Sequence, residues 1–321
     1  MRFVFLLIFL AGSFLAQAGN SLSGLEKVLL FGKEYVRATE WAKANKIRLQ
    51  WIVNERQLRA TNAEARFLFE MDSRRVQFNG VNLILSFPVI FQKGTVFISA
   101  VDLKATLEPL LFPAREPDGS TVKVICLDPG HGGKDPGKLD GKNEEKKFTL
   151  LLAEQVEQLL TRAGFKVVQT RSRDHALELS DRSRIATKNN ADLFVSLHYN
   201  AAPTRSVEGA EVYCLTPEGA SSSNGGKSAT AYPGHTQNAK SVLLAYQMQR
   251  SLVKSLKVED RGVKRSQFVV LLDQKCPAIL IEAGFMTSPT DSKRIYDPAY
   301  RKRMALAIID GILAYKKEVE R

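Results

Sequence analysis

The spacing of apolar and polar positions changes character once along the chain, near residue 120. Before that point, short patterned segments are separated by polar breaks. Residues 36–44 have helical spacing, 66–70 and 75–78 read as strands, and Asn79-Gly80 is a hairpin turn signal leading into a strand over 81–87. A strand over 95–98 and a helix over 101–111 complete a small α+β module. After residue 120, apolar strands alternate with amphipathic helices, the rhythm of a mostly parallel sheet. Strands are expected at 122–127, 166–170, 192–197, 211–215 (this one at an edge), 268–272 and 278–281. Helices are expected at 145–163, where Phe148, Leu152, Val156 and Leu160 share one face and Gly164 stops it, then at 180–189 behind a Ser180 cap, at 239–256, and from Pro298 to about Lys317. Residues 217–238, rich in Ser, Gly, Ala and Thr without apolar periodicity, read as a mobile insertion. The fold class is therefore α/β, a mostly parallel central sheet flanked by helices, preceded by a small α+β domain.

Residues 1–18 follow a different rule. Arg2, an apolar run from Phe3 to Leu15 and the small-residue end Ala16-Gln17-Ala18 have the form of a secretory signal peptide, too short for a confident membrane span. The expected organisation is a signal over 1–18, an α+β domain over 19–112, a linker over 113–120 and a second domain over 121–321. The expected location is outside the inner membrane, in the periplasm or cell envelope, with no stable membrane insertion. Charge narrows the partners. The chain carries +12 overall, with +3 on residues 19–118 and +8 on 119–321. An exported basic surface suits an anionic cell-wall polymer better than nucleic acid. Cys126, Cys214 and Cys276 lie far apart, with no CxxC spacing, and are expected to be buried as small apolar side chains.

The candidate chemistry lies at strand ends. In VKVICLDPGHGG an apolar strand is cut off by Asp128-Pro129-Gly130, and His131 stands among glycines. A turn-capping histidine is the alternative reading. His198 ends DLFVSLH, Glu282 ends AILIE, and Glu145 opens the first long helix. In an open α/β sheet, chemistry collects beyond the carboxyl ends of the strands, so all four should meet at one edge. Two imidazoles and a carboxylate match a three-ligand catalytic zinc site, with a second carboxylate left to handle protons. A carboxylate directly after four apolar strand residues, as at Glu282, is costly unless paired or working. His175, in a polar turn, and His235, in the insertion, are expected at the surface.

DPGHGGKDPG, EKKFTL, SLHYNAA, DRGVK and PAILIEAGFMTSPTD, in this order over about residues 122–315, resemble the zinc-dependent N-acetylmuramoyl-L-alanine amidases of the type-3 group. The resemblance implies one Zn²⁺ held by His131, Glu145 and His198, with Glu282 as catalytic acid/base. It also selects Glu145 over its neighbour Glu144, because the family pattern continues through Lys146, Phe148 and Leu150. The implied reaction is hydrolysis of the amide between N-acetylmuramic acid and the L-alanine of peptidoglycan. Asn200, Arg261 and Lys264 are candidates for contact with the stem peptide. Some family members are blocked by an inserted helix until an activator protein releases it; residues 217–238 are short and lack the helical apolar spacing of that device, while an activator protein stays among the candidate partners. The module before residue 113, through GTVFISAVDLKATL, resembles stalk-type domains similar to the N-terminal domain of copper amine oxidases, which implies positioning rather than chemistry. A zinc peptidase acting on wall peptides and a non-catalytic peptidoglycan-binding protein are the rival readings.

Overall fold

The computed structural model describes residues 22, 24–117, 120–228 and 230–320. The expected signal over 1–18 lies outside them. Among the described residues no helix is long and apolar enough to cross a membrane.

Eight strands precede residue 100: β1 (Lys27–Leu30), β2 (Lys33–Arg37), β3 (Arg48–Val53), β4 (Gln57–Thr61), β5 (Arg66–Glu70), β6 (Ser73–Phe78), β7 (Val81–Gln92) and β8 (Thr95–Ser99). The first four were not expected, since β1, β3 and β4 mix apolar residues with Lys, Arg and Gln, and Val36 and Arg37, expected at the start of the helix, end β2 instead. From β3 to β7 the chain forms an antiparallel meander. Its β6–β7 turn is Asn79-Gly80 with φ of 47° and 85°, the two positive values a type I′ turn requires. Trp41, on the helix Ala38–Ala44, packs edge-on against Phe67 and Phe69.

The second part contributes β9 (Val124–Pro129), a small hairpin β10 (Leu139–Asp140) and β11 (Asn143–Glu144), then β12 (Lys166–Gln169), β13 (Leu193–Asn200), β14 (Ala210–Leu215), β15 (Asp260–Ser266) and β16 (Ala278–Phe285). Strands β12, β9, β13 and β16 lie parallel in that order. β14 runs antiparallel to β16 and parallel to β15. β15 pairs with β7 at Val263 and Leu83, so one sheet continues from the second part into the first.

Two expectations change here. The segment 268–272 is not a strand: Val269–Leu272 is a short helix, and the strand beside β14 is the polar-looking DRGVKRS. β14 is not an edge strand either, because β15 and then β7 extend the sheet beyond it.

Burial on both faces explains the nearly continuous apolar runs of β9, β13 and β16. Ile125, Leu127, Val195, Leu197, Ile279 and Ile281 face the long helices Glu145–Arg162, Asn238–Leu256 and Pro298–Val319. Cys126, Phe194 and Leu280 face the opposite way, under the helices Leu179–Lys188 and Val269–Leu272. All three cysteines are free and buried. Side chains alternate along a strand, so His198 and Glu282 share the second face with Phe194 and Leu280.

The two parts are also joined by backbone chemistry. Residues 100–111 form one helical run with a π turn at Leu103–Leu107, and Pro109 has no N–H to bond the carbonyl of Ala105. Arg265 of β15, 2% exposed, donates to that carbonyl at 2.5 Å and to Thr106 Oγ1 at 3.0 Å. The stretch expected to be mobile is held down. Arg74 of β6 donates to the carbonyls of Ser221 and Ser222, and the Arg265 N–H bonds Ser223 Oγ at 2.9 Å.

Candidate active site

β9 delivers the chain into a tight turn whose shape is set from behind by two buried arginines. Arg171 donates to the carbonyls of Pro129 (2.9 Å) and Gly130 (2.7 Å), and Arg182 to those of Pro129 (2.9 Å) and His131 (2.9 Å). Arg182 also pairs with Asp128 at 2.7 Å, and that carboxylate accepts from Thr170 and Ser196 as well. Asp128 therefore belongs to the scaffold. These groups were not legible: nothing in the local sequence distinguishes a buried arginine from a solvated one.

Two of the turn's glycines bear directly on the site. A Cβ on Gly130 would stand 2.2 Å from His198 Cε1, and one on Gly137, where φ is +67°, would meet Glu145 Oε2 and His131 Cδ2 at 2.6 Å. His131 itself takes φ of +62°, an uncommon backbone state for a non-glycine residue.

His131, Glu145 and His198 converge, each offering a ligand atom within 4.8 Å of the others. Glu145 Oε1 lies 3.0 Å from His131 Nε2 and 3.1 Å from His198 Nδ1. The remaining oxygen of Glu145 accepts the Lys138 N–H at 2.8 Å. On its far side His131 Nδ1 meets Asp135 Oδ2 at 2.8 Å, which in the neutral ring fixes the proton on Nδ1 and turns the Nε2 lone pair toward Glu145. Two ring nitrogens then face one carboxylate oxygen, an arrangement that a cation can bridge. The nitrogen, nitrogen and oxygen donor set fits zinc. The cluster is thus able to hold a metal ion. Burial pushes the Glu145 carboxyl up, but the hydrogen bonds from His131 and His198 outweigh it and hold the group well below the usual carboxylate range. Burial works against the His131 imidazolium, yet Glu145 and then Asp135 raise its pKa overall.

Glu282 sits beside this cluster, in parallel register with His198 and in antiparallel register with Glu211. Its Oε2 is buried without a hydrogen-bond partner. Burial first, then the nearby carboxylates of Glu145 and Glu211, raise its pKa well above the ordinary value, opposed by Lys264. Both Glu282 and the His131, Glu145 and His198 cluster line a cavity of about 480 Å³, walled by Leu179, Phe268, Val269 and Leu280.

Of the three residues expected to meet substrate, only Asn200 lines this cavity. Asn200 donates to Glu211 Oε1 at 2.7 Å, Arg261 Nε to Glu211 Oε2 at 3.0 Å, and Lys264 Nζ to the same oxygen. Tyr213 adds a bond at 2.8 Å. Glu211 is a residue that sequence reasoning missed. Glu144 stands outside the cluster. His175 does too, and so does His235, whose ring accepts from Tyr232 N and bonds the Thr216 carbonyl. Among the described residues, none of 217–238 lines the cavity.

Comparison with known proteins decides the family. The Amidase_3 family model, N-acetylmuramoyl-L-alanine amidase, matches residues 125–314, more than half of the chain. The chain belongs to the type-3 N-acetylmuramoyl-L-alanine amidases. It is 31% identical to the amidase AmiA of Escherichia coli over 60% of this chain and 76% of that protein. It is 35% identical to the uncharacterized protein YqiI of Bacillus subtilis, over 66% of this chain and 93% of its relative. The solved catalytic domain of CwlV, an amidase from Bacillus (Paenibacillus) polymyxa, superposes with a TM-score of 0.52 at 31% identity, covering 62% of this chain and 99% of that domain. As a type-3 amidase, this chain hydrolyses the amide that joins N-acetylmuramic acid to L-alanine in peptidoglycan.

Proposed function

We propose that the chain is an exported, zinc-dependent amidase in which His131, Glu145 and His198 hold one zinc ion and Glu282 moves the protons. The observation that carries this reading is a single edge: three donor groups within 4.8 Å of one another, and a partnerless carboxylate on the neighbouring strand in register with one of them. Bound zinc would supply Lewis-acid polarisation of the scissile carbonyl and a bound water with its pKa lowered to about 7. The protein's own groups do the rest. Asp135 keeps the His131 ring in the tautomer that presents Nε2, and the N–H groups of Lys138, on Oε2, and Tyr199, on Oε1 at 3.0 Å, hold the Glu145 carboxylate so that Oε1 faces both rings. Glu282 takes a proton from the attacking water and returns it to the departing amine nitrogen, which leaves poorly unless protonated. Asn200 orients substrate at the cavity edge. Arg261 and Lys264 act on it indirectly, by fixing Glu211 and through it Asn200.

The expected location is the periplasm or cell envelope, reached through the signal over residues 1–18. The module before residue 113 and the linker over 113–120 position the catalytic part on the wall. Among the described residues none of 217–238 covers the cavity, so the chain is not strongly autoinhibited by that insertion; a large gain in activity on deleting 217–238 would refute this point. Elemental analysis tests the metal site itself. One zinc per chain, lost in His131→Ala, is the expected result; undiminished zinc in that variant would rule out the assignment.

A further inference from the structure

The cavity lining contains one permanent cation, Lys138, beside two imidazoles and the two acids Glu145 and Glu282. Lys138 is exposed, and among the described residues no hydrogen bond or ion pair holds its ammonium group. Its backbone, by contrast, is fixed at both ends to Glu145. The Lys138 N–H donates to Glu145 Oε2 at 2.8 Å, and its carbonyl accepts the Glu145 N–H at 3.0 Å. Gly137 just before it takes φ of +67°, in a space that leaves no room for a Cβ. The hairpin of β10 and β11 follows at once, pairing Leu139 with Glu144. The ammonium thus swings on a short tether from a backbone position locked to the reaction centre.

We infer that Lys138 is a specificity-determining residue that takes a carboxylate on the peptide side of the scissile amide, on the residue next to L-alanine. This inference rests on the amidase reading and adds the orientation of the substrate. A carboxylate within two residues of the cut lies within about 7 Å of it along an extended chain, at 3.3–3.6 Å per residue. A carboxylate on the peptide is drawn to the one unpaired cation at the cavity mouth. The wall opposite, formed by Leu179, Phe268 and Val269, is apolar and offers such a carboxylate nothing. The peptide therefore leaves the cavity past Lys138.

The test uses the full chain with zinc and two N-acetylmuramoyl peptides that differ in one group. The residue after L-alanine carries its α-carboxyl either free or amidated, with the other carboxyls capped in both. The parent should favour the free acid about three- to fivefold in kcat/KM, the range of a partly exposed ion pair. The preference should reside in KM and shrink at high salt. It should vanish in Lys138→Met, invert in Lys138→Glu and return in Lys138→Arg. A merely structural role would lower both substrates together and leave their ratio untouched. The same ratio in Lys138→Met as in the parent, or no preference in the parent, would overturn the inference while leaving the amidase reading intact. Failure of the parent chain to release peptide from either substrate or from sacculi would instead overturn the amidase reading, and this inference with it.

Discussion

Two buried acids flank Glu282, and the difference between their surroundings explains the site. On one side Glu145, 4% exposed, shares an oxygen between two imidazole nitrogens and the Tyr199 N–H, with no fixed cation against it. On the other side Glu211, 1% exposed, is closed off by Arg261, Lys264, Asn200 and Tyr213. A buried carboxylate already neutralised by fixed cations has no need of another. One faced by two imidazoles has room for a cation. Glu282 between them has neither kind of partner on its Oε2, which leaves its proton free to move. In the proposed mechanism these three acids take three roles: ligand, proton carrier and anchor.

Substitutions break this comparison in graded steps. Glu282→Gln should lower turnover by about 10²- to 10⁴-fold, the usual worth of a positioned acid/base, while zinc content is retained. Wild-type rates in that variant would remove Glu282 from the mechanism. Glu211→Ala should cost about 3–5 kcal/mol of stability in denaturant unfolding, because it strands Lys264 and Arg261 without their partner. An unchanged unfolding midpoint would mean that the cluster contributes nothing to the fold. The Glu211 cluster also gives a pH signature. Burial would raise the Glu211 pKa, but Lys264 and its other donors pull it below 4.5. Its contribution is therefore present above 4.5 and lost as pH falls through the lowered value. In the Ala variant that acid-side loss should be smaller. Asp135→Asn should weaken zinc binding about 10- to 100-fold without abolishing it, since it disturbs only the orientation of His131. Metal-buffered titration reads this directly, and parent-like affinity would contradict the role given to Asp135. The smallest effect is on pH dependence. With its pKa raised, His131 holds a proton at higher pH than an ordinary histidine, so zinc affinity should fall on mild acidification. An affinity flat across that range would count against His131 as a ligand.

Much of the site was legible because its residues sit at element ends that the apolar pattern marks. VICLDPG, SLH and ILIE each announce a buried strand that stops at a polar group, and the helix beginning at Glu145 shows its apolar face plainly. What was hidden shares one cause: polar residues buried against backbone. DRGVKRS shows no strand pattern because Arg265 looks solvated, yet its guanidinium satisfies carbonyls that Pro109 and the end of β14 leave open. FVVLL reads as a strand by its branched residues, but the neighbouring strand slot is filled and the segment coils into a lid over the second face of the sheet. Arg171, Arg182 and Glu211 were invisible for the same reason. The glycines of 217–238 suggested mobility, and only the contacts from Arg74 and Arg265 show why that segment is held.

The account is tested most directly by digesting purified sacculi with the full chain, with and without chelator, and identifying the released products by mass. Intact stem peptides bearing a free L-alanine amine, lost under chelation and restored by added zinc, are the predicted result. Shortened peptides, or release that chelation leaves untouched, would contradict it.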